Sequence, residues 1–246
     1  MVNPVRNRSS FTDCSLVSNG VNPVRNKTPK VSDGCLRQPV SNGVKVKICG
    51  ITNLTDALAA QSLGANALGF VFYPKSSRYI LPDAAQKIIS QLNKKIKKIG
   101  VFVNTDSASV KKTARFCRLD MLQFHGDETP DFCRKFKEYK IIKAFRIKNK
   151  ASLKDIDKYP VDYYLFDTFK KDSFGGTGSN FNWDILKGLK ISKPFFLSGG
   201  LNPENIIRAI KAARADWVDV SGGVEAKPGI KDKKLLRDFI DKARSL

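Results

Sequence analysis

The sequence predicts an α/β protein: a single (β/α)8 TIM barrel preceded by a disordered N-terminal extension. Two observations carry that prediction. From Val44 onward, short β-rich runs alternate with amphipathic helical stretches, as in chains of βα units around a parallel sheet. Eight such runs can be counted, which fits a closed barrel, whereas an open flavodoxin-like sheet needs only about five. No Gly-x-Gly-x-x-Gly motif follows the first run, so a dinucleotide-binding open sheet is disfavoured further. The length of 246 residues suits one such barrel.

The eight predicted strands are 44–50, 67–72, 99–103, 121–125, 141–145, 163–167, 195–198 and 217–220. Helical periodicity is read at 55–63, 82–92, 107–117, 130–139, 203–213 and 232–244, with weaker patterns at 151–159 and 183–189. Asn53 is the expected N-cap of the first helix, and Asn202-Pro203 is expected to open the seventh with proline at N1.

Residues 1–43 read differently. Val2-Asn3-Pro4-Val5-Arg6-Asn7 recurs at 21–26, and Val17-Ser18-Asn19-Gly20-Val21 recurs at 40–44. The segment is rich in Asn, Ser, Pro and Gly and poor in large apolar residues, so it offers too little burial to offset its ordering entropy. The domain division is therefore an extension over 1–43 and a catalytic barrel over 44–246.

Composition excludes several classes. No apolar run approaches the roughly 20 residues of a membrane span, and residues 1–43 show no secretory h-region. The expected location is the cytoplasm, with no membrane partner. The five cysteines (14, 35, 49, 117 and 133) show no regular spacing, so reduced thiols are expected instead of disulfides. A single histidine, His125, argues against a zinc site. The net charge of +21 suggests a nucleic-acid partner at first sight. However, its lysines (94, 95, 97, 98, 111, 112, 233 and 234) are read as spread along solvated helix faces, not interleaved with aromatics. No nucleic-acid partner is expected.

In a barrel, chemistry belongs at the C-terminal ends of the strands and on the loops that follow. That rule selects Cys49 after strand one, Arg78 in the loop after strand two, His125 after strand four and Asp167 after strand six. It also selects Ser198-Gly199-Gly200 after strand seven, Asp219 in strand eight, and Ser221-Gly222-Gly223 after it. Paired glycine-rich turns let backbone N–H groups approach a phosphate; the same glycines also suit tight turns needing positive φ. Asp167 follows an apolar run, where desolvation favours a general acid. By position alone Cys49 reads as core packing, His125 as structural or catalytic, and the other cysteines as tail or helix packing.

With these residues in hand, the sequence resembles the phosphoribosylanthranilate isomerases of tryptophan biosynthesis. The resemblance rests on Lys47-Ile48-Cys49-Gly50-Ile51-Thr52, on Pro74-Lys75-Ser76-Ser77-Arg78, and on Gln123-Phe124-His125-Gly126-Asp127. Gly175-Gly176-Thr177-Gly178, Leu197-Ser198-Gly199-Gly200 and Asp219-Val220-Ser221-Gly222-Gly223 extend it. It covers residues 44–246 and none of the extension. It implies a cofactor-free, metal-free Amadori rearrangement of a small phosphorylated substrate by a monomer or homodimer. In that reading Asp167 is the general acid and Cys49 the general base, its pKa lowered by nearby cations or helix N-termini. Arg78 meets the anthranilate carboxylate; His125 and Asp219 face the substrate; Ser198, Gly199, Gly200, Ser221, Gly222 and Gly223 cradle the phosphate. The family commonly has a second serine where this chain has Gly222, and a leucine where it has Phe124. Another sugar-phosphate isomerase or epimerase barrel, or a basic nucleic-acid-binding barrel, is the alternative.

Overall fold

A computed structural model describes residues 43–168, 183–186 and 191–246. The extension over 1–42, Cys14, Cys35 and the motif at 175–178 lie outside the described residues. Eight parallel strands close into a barrel in sequence order. They are β1 (Lys45–Cys49), β2 (Ala67–Val71), β3 (Lys97–Phe102), β4 (Met121–Phe124), β5 (Lys140–Ile147), β6 (Tyr163–Thr168), β7 (Phe195–Leu197) and β8 (Trp217–Val220). Each of the eight expected strands is present within a few residues of its expected bounds.

The two-residue period of the strands explains why one sequence serves two cores. One parity (Ala67, Ile99, Met121, Ile142, Leu165, Phe196 and Trp217) forms a compact cluster inside the barrel. The other parity (Val46, Ile48, Leu68, Phe70, Leu122, Phe124, Phe166, Leu197 and Val218) packs outward in the larger cluster beneath the helices. The inward parity then continues up the strands into polar residues: Lys47 and Cys49, Gln123 and His125, Asp167, and Asp219. Strand alternation is thus what delivers the chemistry to the mouth.

The helices are α1 (Leu54–Ser62), α2 (Pro82–Ile89), α3 (Ser107–Phe116), the short α4 (Pro130–Cys133), α5 (Ile206–Ala213) and α6 (Lys233–Arg244). Asn53 caps α1 as expected, its Oδ1 accepting from the Asp56 N–H at 2.8 Å. Asp56 is buried and its Oδ2 accepts the Lys231 N–H at 2.8 Å, so this cap also anchors the loop after β8. Asn53→Ala is expected to lower stability by about 1 kcal/mol, read as a shift in the urea midpoint at constant slope.

Elsewhere the helices depart from the sequence pattern. The helix expected from Asn202-Pro203 begins only at Ile206. The Asn202 side chain instead accepts from the N–H groups of Glu204 and Asn205, making a turn of its own, while Asn205 Nδ2 donates to Gly200 O. After α4 the chain tightens into a 3-10 turn at Arg134–Phe136, where Phe124, Phe132 and Phe136 cluster at 5.0–5.2 Å between ring centroids. The weak pattern at 151–159 resolves into two 3-10 turns, and 183–186 forms another. A small antiparallel hairpin, β9 (Glu225–Lys227) with β10 (Ile230–Lys231), sits in the loop after β8. Gly229 turns it at φ +82°.

The charge reading also needs correction. Lys97 and Lys98 lie on β3, not on a helix, and Lys98 pairs with Asp120 at 2.8 Å. Lys47, Lys143 and Lys231 are buried. Composition counts a buried cation and a solvated one alike, so it could not tell them apart. Among the described residues no helix is long and apolar enough to cross a membrane.

Candidate active site

The polar residues at the mouth form one connected network. Lys47 on β1 lies level with Asp219 on β8 in the strand register, and its Nζ donates to Asp219 Oδ2 at 3.0 Å. The same Nζ donates to Gln123 Oε1 at 2.8 Å, and its positive charge acts on the Cys49 thiol two residues further along the strand. Gln123 Nε2 contacts His125 Nδ1 at 2.8 Å, and His125 Nε2 contacts Asp167 Oδ2 at 3.1 Å. Asp167 Oδ1 accepts the Thr168 N–H at 2.8 Å. A chain of hydrogen bonds through buried side chains therefore joins Asp219 and Lys47 to Asp167, and Cys49 follows Lys47 by two residues on the inward face of β1.

The lysine crosses the barrel because β2 offers a glycine. A Cβ on Gly69 would stand 2.8 Å from Cys49 Sγ and 3.0 Å from Lys47 Cε. Gly69→Ala is therefore expected to displace the thiol and lower turnover on the order of ten- to a hundredfold. Steady-state kinetics with a matched thermal melt would check this.

Burial pushes the Cys49 thiol up; Lys47 pulls it down, Asp219 opposes, and Lys231 helps pull it down. The net direction is upward. The expected cations are in place, but the expected lowering is overturned, because desolvation of a thiolate inside the barrel outweighs them. Burial likewise disfavours charged Lys47, yet Asp219 and the thiol more than compensate, and its pKa is raised. Cys117 and Cys133 are buried thiols pushed up to about 11 by desolvation, in keeping with packing roles.

A second network caps the mouth. Glu225 on β9 is held by Arg78, whose Nη2 donates at 2.6 Å, and by Lys231 Nζ at 2.8 Å. Lys231 Nζ also donates to Cys49 O at 2.6 Å and Ser221 O at 3.2 Å. Burial opposes the Glu225 carboxylate, but the Arg78 hydrogen bonds and the Lys231 charge hold its pKa below the usual range. The Lys231 pKa falls, through burial above all. Residue positions alone gave no reason to single out Lys47, Gln123, Glu225 or Lys231. Glu225 and Lys231 reach the mouth only through the hairpin, whose sequence signal was Pro228-Gly229.

The two glycine turns differ in kind. Gly199 and Gly200 take φ of +88° and +65°, and a Cβ on Gly199 would stand 2.9 Å from Asp167 Oδ1. Gly223 is needed for space: its Cβ would lie 1.8 Å from Leu201 O, so the loops after β7 and β8 touch there. At Gly222 a Cβ would meet only the end of the Arg78 side chain, Nη2 at 3.3 Å, which would have to give slightly. Ser198 follows β7 with its N–H bonded to Phe166 O, and the Ser221 hydroxyl stands 2.9 Å from where a Gly50 Cβ would be. Every expected site residue thus lies at or just beyond the C-terminal ends of the strands. Among the described residues no three or more His, Cys, Asp or Glu side chains are grouped as a metal site.

A closed parallel barrel that gathers a thiol, an imidazole and carboxylates at its C-terminal mouth defines a (β/α)8-barrel enzyme. The family model described as N-(5'-phosphoribosyl)anthranilate (PRA) isomerase matches residues 46–242, and the chain belongs to that family. It is 48% identical over 201 residues to the N-(5'-phosphoribosyl)anthranilate isomerase of Geobacter sulfurreducens, covering 82% of this chain and 98% of the relative. The crystal structure of phosphoribosyl anthranilate isomerase from Thermotoga maritima superposes with a TM-score of 0.76 at 41% identity, covering 82% of this chain and all of that one. A second such isomerase structure, in complex with reduced 1-(o-carboxyphenylamino)-1-deoxyribulose 5-phosphate, gives a TM-score of 0.73 at 40% identity over the same shares.

Proposed function

We propose that this enzyme of tryptophan biosynthesis isomerises N-(5'-phosphoribosyl)anthranilate with Asp167 as general acid and Cys49 as general base. The observation that carries this reading is the buried hydrogen-bonded chain that runs across the mouth of the barrel from Lys47, beside Cys49 on β1, to Asp167.

Asp167 gives its proton to the ribose ring oxygen as the C1–oxygen bond breaks, leaving an iminium between C1 and the anthranilate nitrogen. That cation acidifies the neighbouring C2–H, and the Cys49 thiolate takes its proton. The resulting enolamine tautomerises to the ketone: C1 is reduced, C2 is oxidised, and no external electron carrier is consumed. The iminium is also the added positive charge that favours the thiolate, offsetting its desolvation.

Binding roles follow from groups left unsatisfied or facing the open mouth. Asp219 Oδ1 is buried and has no hydrogen-bond partner among the described residues. An acceptor so placed needs a donor, and a ribose hydroxyl or the reacting amine N–H supplies one. Arg78 is fixed at one edge by Glu225, and its partly exposed guanidinium suits the planar anthranilate carboxylate. His125 flanks the ring-opening step beside Asp167. Ser198, Gly199, Gly200, Ser221, Gly222 and Gly223 surround the phosphate, with the touching loops after β7 and β8 fixing its position. A serine at position 222 in place of glycine would add a hydroxyl and so tune affinity without changing the reaction. The reaction is expected to run in the cytoplasm.

The test is turnover of phosphoribosylanthranilate by the purified full chain, followed through the substrate's fluorescence, together with rescue of a tryptophan auxotroph lacking this step. Turnover with rescue is expected. No turnover at saturating substrate would move the assignment to another sugar-phosphate reaction.

A further inference from the structure

His125 has two ring nitrogens, and what faces each of them is set from the far side of the barrel. A lysine ammonium can only donate, so the Gln123 atom facing Lys47 Nζ at 2.8 Å is its oxygen. The other end of the amide, the NH2 group, then faces His125 Nδ1 at 2.8 Å. An amide NH2 only donates, so Nδ1 has to accept and carries no proton. The ring proton therefore sits on Nε2, 3.1 Å from Asp167 Oδ2. Gln123 and His125 are two residues apart, so strand alternation turns both inward. Lys47 is itself fixed at 3.0 Å by Asp219 and cannot turn away. All of these side chains are buried, so water does not compete for the amide.

We propose that Lys47 and Gln123 are positioning residues that lock His125 as its Nε2–H tautomer, so that it donates to Asp167 and cannot receive the Asp167 proton. The inference rests on the reading of Asp167 as general acid. An imidazole with a free Nε2 lone pair at this distance would be a competing base: the proton meant for the ribose ring oxygen would pass to the ring instead. With Nε2 already protonated that route is closed, and the Asp167 proton is left with the substrate as its acceptor. The lock also holds the Asp167 carboxyl in place from one side, while the Thr168 N–H holds it from the other at 2.8 Å.

The chain has one histidine, so the full-length protein labelled with 15N-histidine gives a single pair of ring nitrogen signals. Near neutral pH the expected spectrum shows Nε2 protonated and Nδ1 bare. Gln123→Glu reverses the polarity, because a carboxylate accepts from Lys47 and from a protonated Nδ1 alike. That variant is expected to show a protonated Nδ1 and to lose about tenfold or more in kcat, with KM changed less than about threefold. If it does not fold, Gln123→Met keeps the volume, removes the donor, and is expected to lose the exclusive Nε2–H signal. A protonated Nδ1 in the parent protein, or an unaltered tautomer or full kcat in the folded Gln123 variants, would overturn the proposal. Failure of the acid assignment would look different: full turnover in Asp167→Asn, with the parent tautomer still Nε2–H.

Discussion

Asp167→Asn is expected to lower turnover by at least roughly a hundredfold, the usual scale for one acid–base group. The substitution is close to isosteric, so what changes is the proton. An amide cannot protonate the departing ring oxygen, and it cannot satisfy both neighbours. Oδ1 now accepts the Thr168 N–H and Oδ2 faces His125 Nε2. An asparagine keeps one oxygen and turns an NH2 group toward a donor on the other side. Leaving a buried donor unmatched costs about 1–3 kcal/mol, so a lower melting temperature with retained fold accompanies the kinetic loss. Single-turnover measurement of ring opening checks the assignment, and a variant that turns over at the parent rate would remove Asp167 from the chemistry.

Cys49→Ala is expected to produce a loss of similar size, again about a hundredfold or more, and the parent enzyme is expected to carry a matching pH signature. The free thiol is raised by burial despite Lys47 and Lys231, so the thiolate is the minor form near neutrality. The sign follows directly: raising pH deprotonates the base, so kcat/KM climbs with pH and continues to climb beyond the ordinary thiol value of about 8.5. Because the free enzyme governs kcat/KM, the rise reports Cys49 before substrate arrives. A profile that levels off well below that value would mean that another group, or a thiolate already formed, performs the abstraction.

Most of the barrel was legible in the sequence, because strand count and strand position depend on local hydrophobic runs and on the punctuation between them. The eight runs survive with small shifts at their ends. Helix boundaries were less legible. Asn202 looked like a cap, but its side chain closes a separate turn and Asn205 is tied to Gly200, contacts that a pattern of polar and apolar residues does not contain. The hairpin at Glu225–Lys231 was missed because its strands of three and two residues carry no period.

The site divides along the same line. Cys49, His125, Asp167 and Asp219 were legible because they lie at or near strand ends, and the family motif around Cys49 gave that thiol a meaning its position lacked. Lys47, Gln123, Glu225 and Lys231 were not, since each also bonds a residue far away in sequence that brings it into the site. Lys47 reaches Gln123 over 76 residues and Asp219 over 172. Whether a lysine is a solvated surface charge or the buried cation organising an active site depends on what surrounds it in space.

By itself, the sequence determined the barrel, its order of strands, the family and the residues presented at the mouth, because all of these follow from local periodicity and contiguous motifs. Only the tertiary structure decided the thiol's upward pKa, the hydrogen-bonded path from Lys47 through Gln123 and His125 to Asp167, and the clamp on Arg78. Those properties arise from desolvation and from contacts closed across the barrel, and both exist only once distant strands have been brought within hydrogen-bond reach.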